Sequence, residues 1–231
     1  MIKLDKVTKT YGNHKALDNL CLEVLSGEIY GLLGANGAGK STTLNMLLGF
    51  TSPDSGSIKI LNRRTNKIIE KSQIGYIAEN VNLYPYLTGI ENLDYFCRIA
   101  DIILDYNTLT DFLVECGLEK EFHSKKVSEY SKGMRQKVGI SIALAKNAKV
   151  YLLDEPASGL DPVASNELSQ ILKKLSSKGA TILMASHDIF RVRETCDKIG
   201  ILRKGCLIKE MKSNEVTSKE LENTYLTYMQ A

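Results

Sequence analysis

No run of this chain approaches the roughly 18 consecutive apolar residues that a helix needs to cross a bilayer, so nothing in it reads as a membrane span. Five cysteines (Cys21, Cys97, Cys116, Cys196 and Cys206) are scattered without a C-x-x-C pair. That removes the usual zinc spacings and leaves reduced, mostly packed thiols as the expectation. Charge of one sign is lacking too. The net charge of +3 is the small difference of 30 basic and 27 acidic residues, too balanced for a nucleic-acid footprint, and no nucleic-acid partner is expected. There is no repeat, linker or low-complexity tract, and 43% hydrophobic residues argue against disorder. The 231 residues fit one large domain, or a core with a modest subdomain. Met1-Ile2-Lys3-Leu4-Asp5 carries charge where a secretory leader has its apolar centre, so a protein kept in the cytosol is expected.

What is present is one glycine-rich stretch that organises the rest. Gly34-Ala35-Asn36-Gly37-Ala38-Gly39-Lys40-Ser41 matches G-x-x-x-x-G-K-[ST], the loop that wraps a nucleotide's phosphates. Its glycines leave backbone N–H groups free to point at phosphate oxygens. Lys40 reaches the outer phosphates in such loops, and the Ser41 hydroxyl ligates Mg²⁺. The context agrees: 29–33 reads as a buried strand, and 41–48 as a helix ended by Gly49, whose N-terminus adds partial positive charge to the anion site.

Along the chain, 2–7 reads as a strand, 11–13 as a turn, and 20–24 as a half-buried strand. Strands are also expected at 57–61 and 74–77, with Glu79 just past the latter. The composition then shifts. Residues 82–87 are aromatic and irregular, and Thr88-Gly89-Ile90-Glu91 is a capping box opening a helix over about 88–103. A second helix is expected over 108–116, stopped by Gly117, and a third from Ser131 with Met134, Val138, Ile142 and Ala145 on one face. Strand signals return only at Lys149, so about 83–148 reads as a helical insertion. Then come a strand at 150–153 ending in Asp154-Glu155-Pro156, a helix capped by Asp161 with Pro162 at its first position, and a strand at 181–185 ending in Ser186-His187. A hairpin about 203–205 and a short terminal helix bearing Leu221, Tyr225 and Tyr228 complete the chain.

Each polar group thus lies where a strand ends, and in an open parallel sheet those ends line the ligand crevice. Asp154 suits a carboxylate that holds Mg²⁺ opposite Ser41, and Glu155, facing elsewhere, suits the group that polarises the attacking water. His187 shares their edge and suits a contact to the γ-phosphate that holds Glu155 and the water in line. Local sequence leaves Tyr11 between stacking on adenine and filling a sheet surface. Likewise it leaves Glu79 between metal or water ligand and surface acid. Ser131 and Gly133 make a second anion site at a helix N-terminus. One chain with one phosphate loop and two phosphate binders suggests a sandwich of two subunits, each completing the other's site.

These residues together resemble the ATP-binding cassette (ABC) ATPase family over essentially the whole chain. Gly34 to Ser41 is similar to its Walker A motif and 150–156 to its Walker B strand with the catalytic glutamate. Tyr130-Ser131-Lys132-Gly133-Met134 with Arg135-Gln136 is similar to its signature motif, 158–161 to its D-loop, Ser186-His187 to its switch histidine and Tyr11 to its adenine-stacking aromatic. The implied fold is α/β: a P-loop NTPase core with a mixed, mainly parallel sheet flanked by helices, an N-terminal antiparallel β region and an inserted α-helical subdomain. Residues 1–231 form one domain, with 83–148 inserted in a RecA-like core and 213–231 as a short helical tail. The resemblance implies ATP and Mg²⁺ as cofactors. Catalysis falls to Glu155, His187 and Lys40, and the metal to Ser41, Asp154 and Glu79. Nucleotide contacts fall to Tyr11, Gly34, Asn36, Gly37, Gly39, Lys40, Ser41, Thr42, Ser131, Gly133 and Asp161.

Two departures stand out. The family commonly has Gln where Glu79 stands, and Gly and Gln where Lys132 and Met134 stand; Lys132 is expected to add a cation near a partner's phosphate. Variants of this sort resemble ATP-binding subunits of bacterial exporters of drugs, antimicrobial peptides or ions. The partners implied are a transmembrane permease subunit, docking near 82–86, and a second ATP-binding subunit, with the chain peripheral on the inner face of the cell membrane. The rival readings are a soluble mechanical ATPase of the same fold acting on nucleic acid or ribosomes, and a small-molecule kinase.

Overall fold

The computed structural model describes residues 1–62 and 67–230, and among these two sheets and seven α-helices make up the fold. The larger sheet has six strands in the order β5-β6-β7-β3-β8-β9. These are β3 (Ile29–Leu33), β5 (Ile74–Ile77), β6 (Val150–Asp154), β7 (Thr181–Ser186), β8 (Lys198–Arg203) and β9 (Cys206–Lys212). All neighbours are parallel except the β8–β9 hairpin. β3 and β7 are buried along their whole length and read as continuous apolar runs because helices or a second sheet cover both faces.

Alternation decides which layer each strand residue serves. Tyr30 and Leu32 of β3 face one core with Leu152 of β6 and Leu183 of β7, while Ile29 and Leu33 face the other with Leu153 and Met184. The first core is closed by a three-stranded antiparallel sheet, β2-β1-β4, and by helix α1 (Lys40–Leu48). That sheet comprises β1 (Ile2–Tyr11), β2 (His14–Val24) and β4 (Ser55–Ile60). The second core is closed by α5 (Pro162–Ser177), α6 (Ile189–Thr195) and α7 (Ser218–Gln230).

Between β5 and β6 lie α2 (Gly89–Ile99), α3 (Tyr106–Glu115) and α4 (Lys132–Ala145), with a third core that includes Leu93, Leu113, Val127 and Val138. α4 is shared. Its Val138 serves that third core, while Ile140 and Ala143 serve the sheet's second core, so the helix is apolar on two sides.

Several boundaries differ from the sequence expectation. β1 continues to Tyr11, and β2 starts at His14, because bulges break the period-2 pattern: Lys6 and Asn19 take positive φ of 49° and 48°, and the β1–β2 register shifts near them. α2 stops at Ile99 rather than near 103, since Asp101 sits at φ 58° and the Ile102 amide folds back to Cys97. α3 begins earlier, at Tyr106, because the Asp105 carboxylate caps it by accepting the Thr108 amide at 2.8 Å. The capping box at Thr88 and Glu91 forms as read. Of the thiols, Cys97, Cys116 and Cys196 are buried, but Cys21 is exposed. The expected tail, 213–231, carries α7, and Ala231 lies outside the described residues.

The β3 strand meets α6 at Gly31, where a Cβ would stand 2.4 Å from Val192 Cγ1 and 2.8 Å from Cys196 Sγ. Gly31→Ala is therefore expected to cost about 1–3 kcal/mol by overpacking. A thermal melt tests this, and an unchanged midpoint would refute the close approach.

Candidate functional site

Register places the chemistry. Leu33 pairs with Ser186 and Asp154 with Ala185, so the carboxyl ends of β3, β6 and β7 stand side by side. The phosphate loop leaves β3 at Gly34, whose amide donates to Ser186 O at 3.1 Å. No side chain fits there, as a Cβ on Gly34 would lie 2.6 Å from Leu202 O. Gly39, at φ 111°, starts α1 without any side-chain cap, and its Cβ position is closed by Ala16 O at 2.7 Å. The first-turn N–H groups of α1 are thus left to a ligand, with the helix's positive end behind them. The Gly205 amide donates to Ala38 O at 2.9 Å, so the β8–β9 turn braces the loop from its other side.

Lys40 is buried and folds over this loop, donating to Gly34 O at 2.6 Å and Ala35 O at 3.3 Å. Its ammonium also lies 3.2 Å from Glu155 Oε1, a charge contact that is not an aligned hydrogen bond. The other oxygen of Glu155 takes three donors. They are His187 Nδ1 at 2.9 Å, the Ser186 hydroxyl at 3.1 Å and the His187 amide at 3.2 Å. Since a carboxylate only accepts, the Nδ1 carries the proton. Burial by itself pushes Glu155 up, yet the His187 bond and the Lys40 charge outweigh it and hold the carboxyl below its ordinary range. The group stays ionised at neutral pH, as a base needs. Its backbone sits at φ 46°, a left-handed conformation that costs a non-glycine residue on the order of 1–3 kcal/mol.

Asp154 behaves oppositely. Burial raises its carboxyl, and the Ser41 hydroxyl that hydrogen-bonds to it only partly offsets this, while the Glu155 and Glu79 charges add to the rise. A desolvated carboxylate against a hydroxyl is a donor set that a hard divalent cation suits. Among the described residues no cluster of three or more His, Cys, Asp or Glu is arranged for a metal.

A cavity of about 320 Å³ brings most of the expected residues together: Tyr11, Asn36, Gly37, Gly39, Lys40, Ser41, Thr42, Glu79, Asp154 and Glu155. Gly34 and His187 do not line it: Gly34 begins the loop at the end of β3, and His187 is joined to the lining through Glu155. Three further expected residues, Asp161, Ser131 and Gly133, do not line it either. Asp161 caps α5, its Oδ1 accepting the Val163 and Ala164 amides at 2.9 Å each. Ser131 caps α4 through the Met134 amide at 3.2 Å, and Gly133 packs against α5, where a Cβ would meet Ala164 Cβ at 3.1 Å. Lys132, expected to add a cation near a partner's phosphate, lies 3.8 Å from this chain's own Glu79.

Residues that sequence reasoning missed include Ser186 as a donor to Glu155, Ser158 as a donor to Glu79 at 2.9 Å, and His14 as a lining group. His14 was findable: a two-residue turn at Gly12-Asn13 sets it opposite Tyr11.

The model of the ABC transporter family matches residues 17–158. The chain belongs to the ABC transporter family. Bacitracin transport ATP-binding protein BcrA of Bacillus licheniformis is 36% identical over 231 residues, covering 99% of this chain and 74% of the relative. Lantibiotic transport ATP-binding protein SrtF of Streptococcus pyogenes is 34% identical, covering 91% of this chain and 90% of the relative. A dimeric ATP-binding cassette solved in a post-hydrolysis state with ADP and Pi superposes with a TM-score of 0.79, at 32% identity over 92% of this chain and 99% of its own. The α/β fold with its mixed, mostly parallel sheet and three-stranded antiparallel sheet is that of the ABC cassette. The protein is an ATP-binding, ATP-hydrolysing subunit of an ABC transporter.

Glu155→Gln keeps the shape of the carboxylate and removes its basicity. ATP binding should persist while turnover falls by about 10²–10⁴-fold and dimer accumulates on gel filtration. Undiminished hydrolysis would remove Glu155 from the chemistry.

Proposed function

We propose that this ABC subunit works as one of a pair, each ATP lying between the phosphate loop of one chain and Ser131 and Gly133 of the partner subunit. The observation that supports this most is spatial. The anion-binding end of α4 stands outside the cavity that holds its own chain's loop. In this reading Tyr11 stacks on the adenine, the loop amides and Lys40 bind the phosphates, and Lys40 exchanges its carbonyl partners for phosphate oxygens. Ser41 and Asp154, with Glu79 nearby, would hold Mg²⁺, and the ion would supply positive charge against the phosphates. Glu155 takes the proton of the attacking water, and His187 and Ser186 keep that carboxylate aimed. Asp161 keeps the loop between the two sites in shape by capping α5, close to the partner subunit.

As to organisation, 1–231 is one ATPase domain with 83–148 as its helical subdomain and 213–231 as its tail. The permease docks on 82–86, where Tyr86 is 84% exposed and Tyr84 leads into a ring cluster with Tyr95, centroids 4.7 Å apart. Among the described residues no helix is long and apolar enough to cross a membrane. In this reading a separate permease holds the subunit at the inner face of the cell membrane. Export of a drug, antimicrobial peptide or ion is the transport reading, supported by the bacitracin and lantibiotic relatives. A mechanical ATPase on nucleic acid or ribosomes has no comparable support, and the charge balance speaks against it.

Turnover per chain should rise with protein concentration until pairing saturates; strict proportionality of rate to concentration at every dilution would overturn the shared site. Separately, ATP at about 100 times its Kd should stabilise the chain by about 2.7 kcal/mol. Lys40→Ala should lose most of the resulting rise in melting temperature.

A further inference from the structure

Lys132 opens α4, and its ammonium lies 3.8 Å from Glu79 Oε1, the oxygen that also accepts the Ser158 hydroxyl at 2.9 Å. The lysine stem passes Gly159, where a Cβ would stand 3.8 Å from Nζ. One turn along α4, the buried Gln136 donates its amide to the carbonyls of Ala78 and Glu79 at 3.3 and 3.2 Å. The start of α4 is therefore fastened to the segment after β5 in two ways. The amide tie is buried and reaches only backbone. The charge tie is partly exposed, with side chains 26% and 48% accessible, and reaches a carboxylate that lines the nucleotide cavity.

We infer that Lys132 is a positioning residue that holds the Glu79 carboxylate toward α4 and competes for it with the divalent cation of the bound nucleotide. The inference rests on the nucleotide reading above and adds a regulation to it. Loading the cavity draws Glu79 inward and releases an ammonium beside Ser131, on the surface that meets the partner subunit. Linkage makes the effect reciprocal: whatever the pair contributes is subtracted from the affinity for the metal-bound nucleotide. A partly exposed pair shifts such an equilibrium by about two- to fivefold and weakens as salt screens it. Gln136 meanwhile keeps α4 attached, so the release frees a side chain and not a helix.

The test is calorimetry of the full chain with a non-hydrolysable ATP analogue, with Mg²⁺ and with chelator, in wild type, Lys132→Ala, Lys132→Arg, Glu79→Gln and the Glu79→Gln/Lys132→Ala double variant. The readout is the ratio of metal-free to Mg²⁺-loaded dissociation constants; any general effect of lysine charge, stronger on the more highly charged metal-free analogue, is taken out by comparison with the Glu79→Gln background. Lys132→Ala should raise this ratio about two- to fivefold over wild type at low salt, and less at high salt. Lys132→Arg should match wild type, and adding Lys132→Ala to Glu79→Gln should change nothing. An unchanged ratio in Lys132→Ala, or an equal rise in the Glu79→Gln background, overturns the competition. If wild type binds neither form of the analogue, the nucleotide site itself falls, a result distinct from an unchanged ratio with binding intact.

Discussion

The carboxylate of Glu155 is the point on which the rest of the molecule bears. One oxygen faces the Lys40 ammonium from the β3 loop, and the other gathers donors from the end of β7. Three adjacent strands thus meet in one ionised group, held by a backbone conformation that few glutamates adopt. Such strain persists only where the surroundings over-determine it. Here they do: the Glu155 amide is tied to Ala185 O at 2.9 Å, and the Ser158 amide returns to Glu155 O at 3.0 Å.

That tie requires strands fixed in register to within a fraction of a residue, and the layers supply it. β3 has two buried neighbours, and its side chains alternate between two apolar cores, so slipping by one residue would exchange those faces wholesale. α4 connects this scaffold to the helical part by serving a core on each side. A helix anchored twice cannot shift at its N-terminus without the sheet edge being involved. Lys132 and Gln136, both on α4, therefore bear on the position of Glu79.

Much of this was legible in the residue order. Continuous apolar runs before Gly34, at 150–153 and at 181–185 could only be strands covered on both faces, and the polar residues after them fell on one edge. Asp161 with Pro162 announced a helix start, which the two amides on its carboxylate bear out. What escaped reading is where local rules are locally broken. Positive φ at Lys6, Asn19 and Asp101 reset strand and helix periods without a glycine to mark them. The direction of Lys132 escaped for another reason: Glu79 is more than fifty residues away, and no sequence spacing says that β5 and α4 bring the two charges together. Ser186 and Ser158 were hidden by being ordinary loop hydroxyls until their acceptors were in place.

The backbone of the β8–β9 turn and of β2 walls the phosphate loop on both flanks, through the Gly205 amide on Ala38 O and the Ala16 carbonyl against Gly39. An anion arriving there meets a mould already set during folding. The chain surrenders little further disorder when the ligand seats, so its grip reflects amide dipoles and charge more than any tightening of the loop. The far end of the nucleotide is met by a side chain, Lys40, whose ammonium waits on the Gly34 and Ala35 carbonyls beside Glu155.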